Sequence, residues 1–207
     1  MPKPSLWTDT QGLGFSFAPT TADDIDDLVC VRLAAMQPGL EALGRFRPEK
    51  ARQHVVDNYR PKQTYWIRHE HLPQRLGWLC LYACTRPPHT SQHGKDDLVG
   101  PYWQLDRFYF SPQTSGKGWG SRVLSYLCKQ ADEADRPIQV TALLGSAANR
   151  FYQRHGFIFV DQGDIDVNYV RPAPLTIIRG QVNQTIAAWA ARRKAEESPG
   201  STERCSG

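Results

Sequence analysis

An α/β (α+β) domain is what the sequence predicts, and three observations predict it. β-runs and helical apolar stripes alternate along the chain. One β-run feeds a glycine-rich turn that opens a helix. Of the 207 residues 40% are apolar, with 6 Trp, 8 Tyr and 8 Phe, which supplies one core of ordinary size and excludes wholesale disorder. The length fits one domain over residues 10–171. A short N-terminal tail (1–9) precedes it and an extension (172–207) follows, part helical and disordered at its end.

The elements follow in order. Leu13 to Ala18 reads as a short strand. Thr21 is the N-cap of a first helix, with Asp24 at the capping-box position and acids suited to the helix dipole in the first turn. Ile25, Leu28, Val29, Val31, Arg32 and Leu33 carry its stripe to about Met36, where Gln37-Pro38-Gly39 breaks it. A second helix runs from Pro48 to Tyr59, with proline in its first turn. Thr64 to His69 and Arg75 to Cys84 form a hairpin through His71-Leu72-Pro73. Arg86 to Gly100 is a polar loop, and Tyr102 to Phe110 is a long strand ended by Ser111-Pro112.

After Ser115-Gly-Lys-Gly-Trp-Gly120, the residues Trp119, Val123, Leu124, Leu127, Ala131 and Ala134 mark one helical face. Pro137 ends that helix and Ile138 to Leu144 is a strand. Ser146 caps a short helix containing Phe151 and Tyr152, with Gly156 just past its end. Phe157 to Val160 and Ile165 to Val170 close the domain as an antiparallel hairpin. In the extension, Gln181 to Lys194 reads as helical and Ser198 to Gly207 as disordered.

Composition narrows the function classes. The net charge is +4, but residues 1–170 hold 19 Lys+Arg against 18 Asp+Glu, so composition does not imply a basic face for nucleic acid. The run Arg192-Arg-Lys194 is short. No window is apolar enough to span a membrane, and Met1 to Ser5 carries no secretory core, so the expected location is the cytoplasm. Cys30, Cys80, Cys84, Cys128 and Cys205 are odd in number and contain no CxxC pair. Buried reduced thiols are the expectation, and no metal site is predicted.

The chemistry lies between Tyr102 and Phe157. A strand that delivers Gly116-x-Gly118-x-Gly120 to a helix N-terminus builds an anion site, because glycines admit the ligand and unpaired N–H groups point at it. A nucleoside triphosphate loop fails, since Ser121-Arg122 follows Gly120 where Lys-Ser/Thr is required. A dinucleotide unit fits poorly, since the spacing is GxGxG in mid-chain. The diphosphate of coenzyme A remains.

Phe110-Ser-Pro-Gln-Thr-Ser-Gly-Lys-Gly-Trp-Gly-Ser-Arg-Val-Leu124 closely resembles motif A of the GCN5-related N-acetyltransferase (GNAT) superfamily. Ser146-Ala-Ala-Asn-Arg-Phe-Tyr-Gln-Arg-His-Gly-Phe157 resembles its motif B, and the element order from Leu13 to Val170 also fits. The resemblance implies a single mixed, mostly antiparallel sheet flanked by helices, the acyl-CoA N-acyltransferase fold. It implies acetyl transfer from acetyl-CoA to a primary amine, on a small molecule or a peptide. Two positions depart from the pattern. Ser115 stands where the family has Gln or Arg, and Ser146 stands where it often has Asn, with Asn149 one turn later.

By resemblance, the strand splays at a bulge around Phe108, Tyr109 and Phe110, freeing backbone groups for pantetheine and the Phe110 N–H for the thioester carbonyl. Ser115, Gly116, Lys117, Gly118, Trp119, Gly120 and Ser121 would hold the diphosphate, and Asn149 would take over a pantetheine contact. Tyr152 matches the tyrosine that protonates the departing thiolate; its alternative is a packed aromatic. Period-two alternation puts Tyr102, Gln104, Asp106, Phe108 and Phe110 on one face. Gln104 occupies the position of a glutamate base and cannot serve as one, which leaves Asp106 as base or as a salt-bridge partner. His155 is a shuttle or a surface residue. Tyr65, Trp66, Trp78, Tyr82, Trp103 and Tyr109 line an acceptor pocket or the sheet core. Ile177, Ile178, Ile186 and Trp189 are apolar enough to pack on the domain or on a second subunit. A non-catalytic acyl-CoA-binding module and a nucleic-acid-linked acceptor, such as charged tRNA, stay open as alternatives.

Overall fold

Two side chains start the helical part of the chain. The Thr21 N–H donates to Asp24 Oδ2 at 2.9 Å, and the two close a capping box over a 3₁₀ turn, Ala22–Asp24. The computed structural model describes residue 10 and residues 12–85 and 101–174. The 86–100 loop, the 1–9 tail, Cys205, the Gln181 to Lys194 helix with its basic run, the apolar set Ile177 to Trp189 and the Ser198 to Gly207 end lie outside the described residues.

The elements are β1 (Phe15–Pro19), α1 (Ile25–Ala42), α2 (Pro48–Asp57), β2 (Thr64–His69), β3 (Arg75–Cys84), β4 (Tyr102–Phe110), α3 (Trp119–Glu133), β5 (Ile138–Leu143), α4 (Ala147–Arg154), β6 (Ile158–Gln162) and β7 (Asp166–Arg171). They build one seven-stranded sheet in the order β1-β2-β3-β4-β5-β7-β6. Every neighbouring pair is antiparallel except β4 and β5.

Each face of the sheet has its own core. On one side Val123, Leu124, Leu127 and Ala131 of α3 and Tyr152 of α4 bury against Leu79, Leu105, Ile138 and Val140. On the other, Leu28 and Val29 of α1 and Val55 of α2 cover Trp66, Trp78 and Cys80.

Three expectations need correction. First, α1 does not break at Gln37-Pro38-Gly39 but continues to Ala42. Pro38 forfeits the bond to the Ala34 carbonyl, yet the turn is held by packing. Gly39 passes so near the end of β5 that a Cβ there would lie 2.7 Å from Leu143 Cδ2. The helix ends at Gly44, whose φ is +63°. The Arg45 N–H bonds the Leu40 carbonyl at 2.8 Å and the Gly44 N–H bonds that of Glu41 at 2.9 Å, a Schellman termination.

Second, β4 does not alternate evenly. Arg107 pairs with Cys80 and Leu105 with Leu81, so Asp106 is an extra residue without a partner on β3. Beyond this bulge the faces exchange parity. Phe108 and Phe110 join the α3 side with Trp103 and Leu105. Tyr102 and Gln104 share the α1 side with their cross-strand partners Cys84 and Tyr82. The five residues expected on one face therefore divide at Asp106.

Third, Cys30 is exposed, whereas Cys80 and Cys128 are buried and Cys84 is half-buried; all four are free thiols. Cys30 follows the inward pair Leu28-Val29 and turns away from the sheet.

Gly77 on β3 sits opposite Phe110. A Cβ there would collide with the Tyr109 carbonyl oxygen and stand 2.8 Å from Phe110 Cα. Gly77→Ala is expected to cost about 1–3 kcal/mol through overpacking, read as a lower urea midpoint. An unchanged midpoint would mean that β3 and β4 separate freely at this point.

Candidate active site

Strands β4 and β5 pair through only three positions, Trp103 with Ile138, Gln104 with Gln139 and Leu105 with Val140. From Asp106 onward β4 stays with β3, and β5 goes with β7 as far as Leu143. A gap therefore opens in the sheet along residues 106–110. The Ser111 N–H bonds the Leu76 carbonyl on β3 at 2.9 Å. By strand alternation the N–H groups of Phe110 and Phe108 point the other way, into the gap.

The glycine loop stands at the end of this gap. Its start is pinned by Thr114, a buried residue that sequence reasoning passed over. The Thr114 hydroxyl donates to the Leu76 carbonyl at 2.7 Å and lies 2.9 Å from that of Ser111. Ser115 is exposed, and its N–H turns back to Ser111. Gly116 and Gly118 have φ of +75° and +81°, and a Cβ on either would meet nothing within 4 Å. Side chains are thus excluded by backbone conformation, and the space above stays open. Gly120 forms the floor, 3.6 Å from the rings of Phe110 and Phe151 on a built Cβ.

Gly118 is the N-cap of α3, with no capping side chain and no acid in the first turn. The capping box at Thr21 and Asp24 fills that place ahead of α1. The first-turn N–H groups of α3 are left facing the loop, with the positive end of a 15-residue helix behind them. Lys117 is exposed beside them. Trp119 turns its ring away from the loop, edge-on to His69 at 4.7 Å and under the Arg122 guanidinium. Arg122 in turn donates to the Leu13 carbonyl at 2.6 Å.

Tyr152 enters from α4. It is 5% exposed and packed among Phe151, Phe157 and Tyr169. Burial pushes the Tyr152 phenol well above its ordinary value, and the nearby Tyr109 phenol adds to the shift. Asn149 is fully engaged. Its amide donates to the carbonyls of Leu143 (2.8 Å) and Ser146 (2.9 Å), and its oxygen accepts from the Tyr169 hydroxyl at 3.0 Å. It fixes the turn between β5 and α4. Ser146 caps by position, but its hydroxyl bonds back to Leu143.

Asp106 makes an ion pair with its neighbour Arg107 at 2.7 Å, a contact that the bulge permits, and stays about a third exposed (32%). Arg107, buried, also donates to the Asn58 carbonyl at 3.2 Å and reaches His54 Nδ1 at 3.4 Å. Trp66, Trp78 and Trp103 are core. His155, the C-cap of α4, bonds the Phe151 carbonyl at 2.8 Å. Among the described residues no group of three His, Cys, Asp or Glu gathers for a metal, and no helix is long and apolar enough to cross a membrane.

Residues 61–159 match the model of the acetyltransferase (GNAT) domain. Solved structures share the fold at low identity. An acetyltransferase of the GNAT family from Listeria monocytogenes is 16% identical over 80% of this chain and 99% of its own, with a TM-score of 0.53. A PaiA N-acetyltransferase from Thermoplasma acidophilum, solved with coenzyme A, is 12% identical over 76% and 98%, at 0.52. A histone acetyltransferase and related acetyltransferase from Corynebacterium glutamicum is 19% identical over 77% and 97%, at 0.50. Among curated protein sequences there is no significant match.

The cations beside the bulge have a measurable consequence. Partial desolvation of its ring, on a residue that is otherwise exposed, lowers the His54 pKa below its ordinary 6.5, and the guanidinium groups of Arg107 and Arg32 lower it further. The unfolded chain therefore binds this proton more readily, and stability falls as pH drops below about 6.5. His54→Gln is expected to flatten that part of the stability–pH curve, measured by urea unfolding between about pH 7.5 and about pH 5. Identical slopes in the two proteins would contradict it.

Proposed function

We propose that this chain, whose residues 61–159 match the acetyltransferase (GNAT) domain, is a GNAT N-acetyltransferase that moves an acetyl group from acetyl-CoA to a primary amine. The observation that carries the reading is the gap between β4 and β5, which leads to an open glycine loop at an uncapped helix N-terminus. Coenzyme A supplies an activated thioester at the end of a long arm with a diphosphate in its middle. The site suits both parts. Backbone donors of Gly116 to Ser121 receive the diphosphate, with Ser115, Lys117 and the Trp119 backbone around them. The free edge of Phe108 to Phe110 receives the arm as an added strand does.

The chain's own groups then divide the work. The Phe110 N–H, aimed into the gap, donates to the thioester carbonyl oxygen and stabilises charge that gathers there. Tyr152 keeps its proton across the neutral range, because desolvation holds the phenol in its neutral form. An ordinary phenol (~10) would not readily protonate an ordinary thiolate (~8.5). In the same dry pocket the thiolate is destabilised as well, so Tyr152 can hand over its proton as the sulfur leaves. Asp106 stands at the bulge, bound to Arg107 and partly exposed, and we assign to it the proton that the incoming amine gives up. Asn149 acts indirectly, by holding the turn that presents α4.

The experiment is thermal denaturation with and without acetyl-CoA, followed by a thiol-release assay against a panel of amines. Ligand at 100 times its Kd is expected to stabilise the protein by ~2.7 kcal/mol. Gly118→Glu should abolish the shift, since a carboxylate would fill and repel the diphosphate site. No shift with the native chain would remove the reading.

Tyr152→Phe tests the proton donor separately. Loss of a general acid is worth about 10²–10⁴ in rate, so kcat should fall by that range with coenzyme affinity nearly unchanged. A variant that keeps more than about half of kcat, far above that range, would make Tyr152 a packing residue.

A further inference from the structure

Helix α1 crosses the sheet on the side opposite α3 and α4. Its first anchor is on β3, where Trp78 Nε1 donates to the Leu28 carbonyl at 3.1 Å. Its last anchor is the end of β5, where Gly39 rests on Leu143. Between β3 and β5 lie β4 and the gap, so α1 bridges the gap. The eleven steps from Leu28 to Gly39 span roughly 16 Å of helix. Arg32 lies one turn after Leu28.

Arg32 continues the inward stripe of Ile25, Leu28 and Val29, where an apolar residue is expected. Its surroundings satisfy it poorly. Nη1 reaches the Ala51 carbonyl only at 3.5 Å. Nε is buried without a partner. The guanidinium lies against the Tyr109 hydroxyl, on the β4 stretch that has parted from β5. Among the described residues no carboxylate is within ion-pair distance of Arg32.

Nearby acids are committed elsewhere. Asp106 holds Arg107, Asp26 holds Arg52, and Asp24 and Asp27 hold Arg75. Asp57 accepts from Gln53. Arg107 is therefore neutralised and Arg32 is not. A guanidinium cannot shed its proton, so its half-desolvated charge is a standing cost that an anion in the gap would relieve.

Resting on the acetyltransferase reading above, we propose that Arg32 selects the acceptor, and that the acceptor is a small molecule carrying both a primary amine and a carboxylate. The Arg32 guanidinium holds the carboxylate on the α1 side while the amine faces the gap. Arg32 is thus a specificity-determining residue, with the Tyr109 hydroxyl as its neutral neighbour.

The test pairs each acceptor with its own carboxamide, using α-amino acids and ω-amino acids of increasing length in a thiol-release assay with acetyl-CoA. The expected result is at least one carboxylate acceptor whose kcat/KM exceeds that of its amide by about tenfold or more, the worth of one charge-assisted pair. Arg32→Gln should bring the carboxylate down to the level of the amide, and Arg32→Lys should restore part of the preference. Acetyl-CoA affinity by calorimetry should stay within about twofold in Arg32→Gln, as expected of separate sites, which shows that the variant is folded. Amides or polyamines turned over as fast as the carboxylates would overturn the inference and leave the acetyltransferase reading standing. Acetyl-CoA binding with no amine turned over would remove the transferase reading, and the inference with it.

Discussion

Everything in the site depends on two strands that pair for three residues and then part. A parallel pair such as β4 and β5 would normally extend its ladder, because each further residue pairs more backbone groups. Here β4 is held to β3 instead. Gly77 lets the two backbones approach more closely than any side chain would allow. The extra residue at Asp106 then changes the parity of β4 at the point where its pairing with β5 stops. The result is a sheet with an unpaired inner edge, which is costly unless water or a ligand satisfies it.

The rest of the site exploits that edge from both sides. From the α3 side comes a helix whose N-terminus lacks a capping side chain and an acid, so its donors and its positive end stay available. From α4 comes Tyr152, a phenol dry enough to hold its proton. From the opposite side come α1 and α2, which carry cations rather than a closed apolar cover over the opening. A further cation, Arg107 of β4 itself, is neutralised within its own strand by the bulged Asp106. This is why the bulge bears on the charge of the acceptor side as well as on the gap.

Much of this was legible in the sequence, for identifiable reasons. Glycines at 116 and 118 before an apolar helical stripe marked the loop, and the structure gives both positive φ. The strand from Tyr102 to Phe110 was bounded by Ser111-Pro112, and its ends were read correctly. Other features were hidden because they depend on contacts distant in sequence. Pro38-Gly39 reads locally as a helix end, yet tertiary contact with Leu143 keeps α1 going. Period-two alternation assumes an unbroken ladder, and nothing local in Leu105-Asp106-Arg107 announces an extra residue, although a charged pair in an apolar strand was the available hint. Arg32 appeared in the helical stripe, but its lack of a partner is a property of the folded surroundings. Thr114 follows the same rule, since its hydroxyl donates to the Leu76 carbonyl, 38 residues away in sequence.

The central claim, that the parted edge of β4 and the α3 N-terminus together hold the coenzyme, is tested most directly by amide-resolved hydrogen exchange with and without acetyl-CoA. The account predicts slowed exchange at Phe108 and Phe110, whose N–H groups face the gap, and at Gly116 to Ser121. Ser111, already bonded to Leu76 on β3, should change little. Protection confined to other parts of the sheet, or equal along both edges of β4, would contradict it.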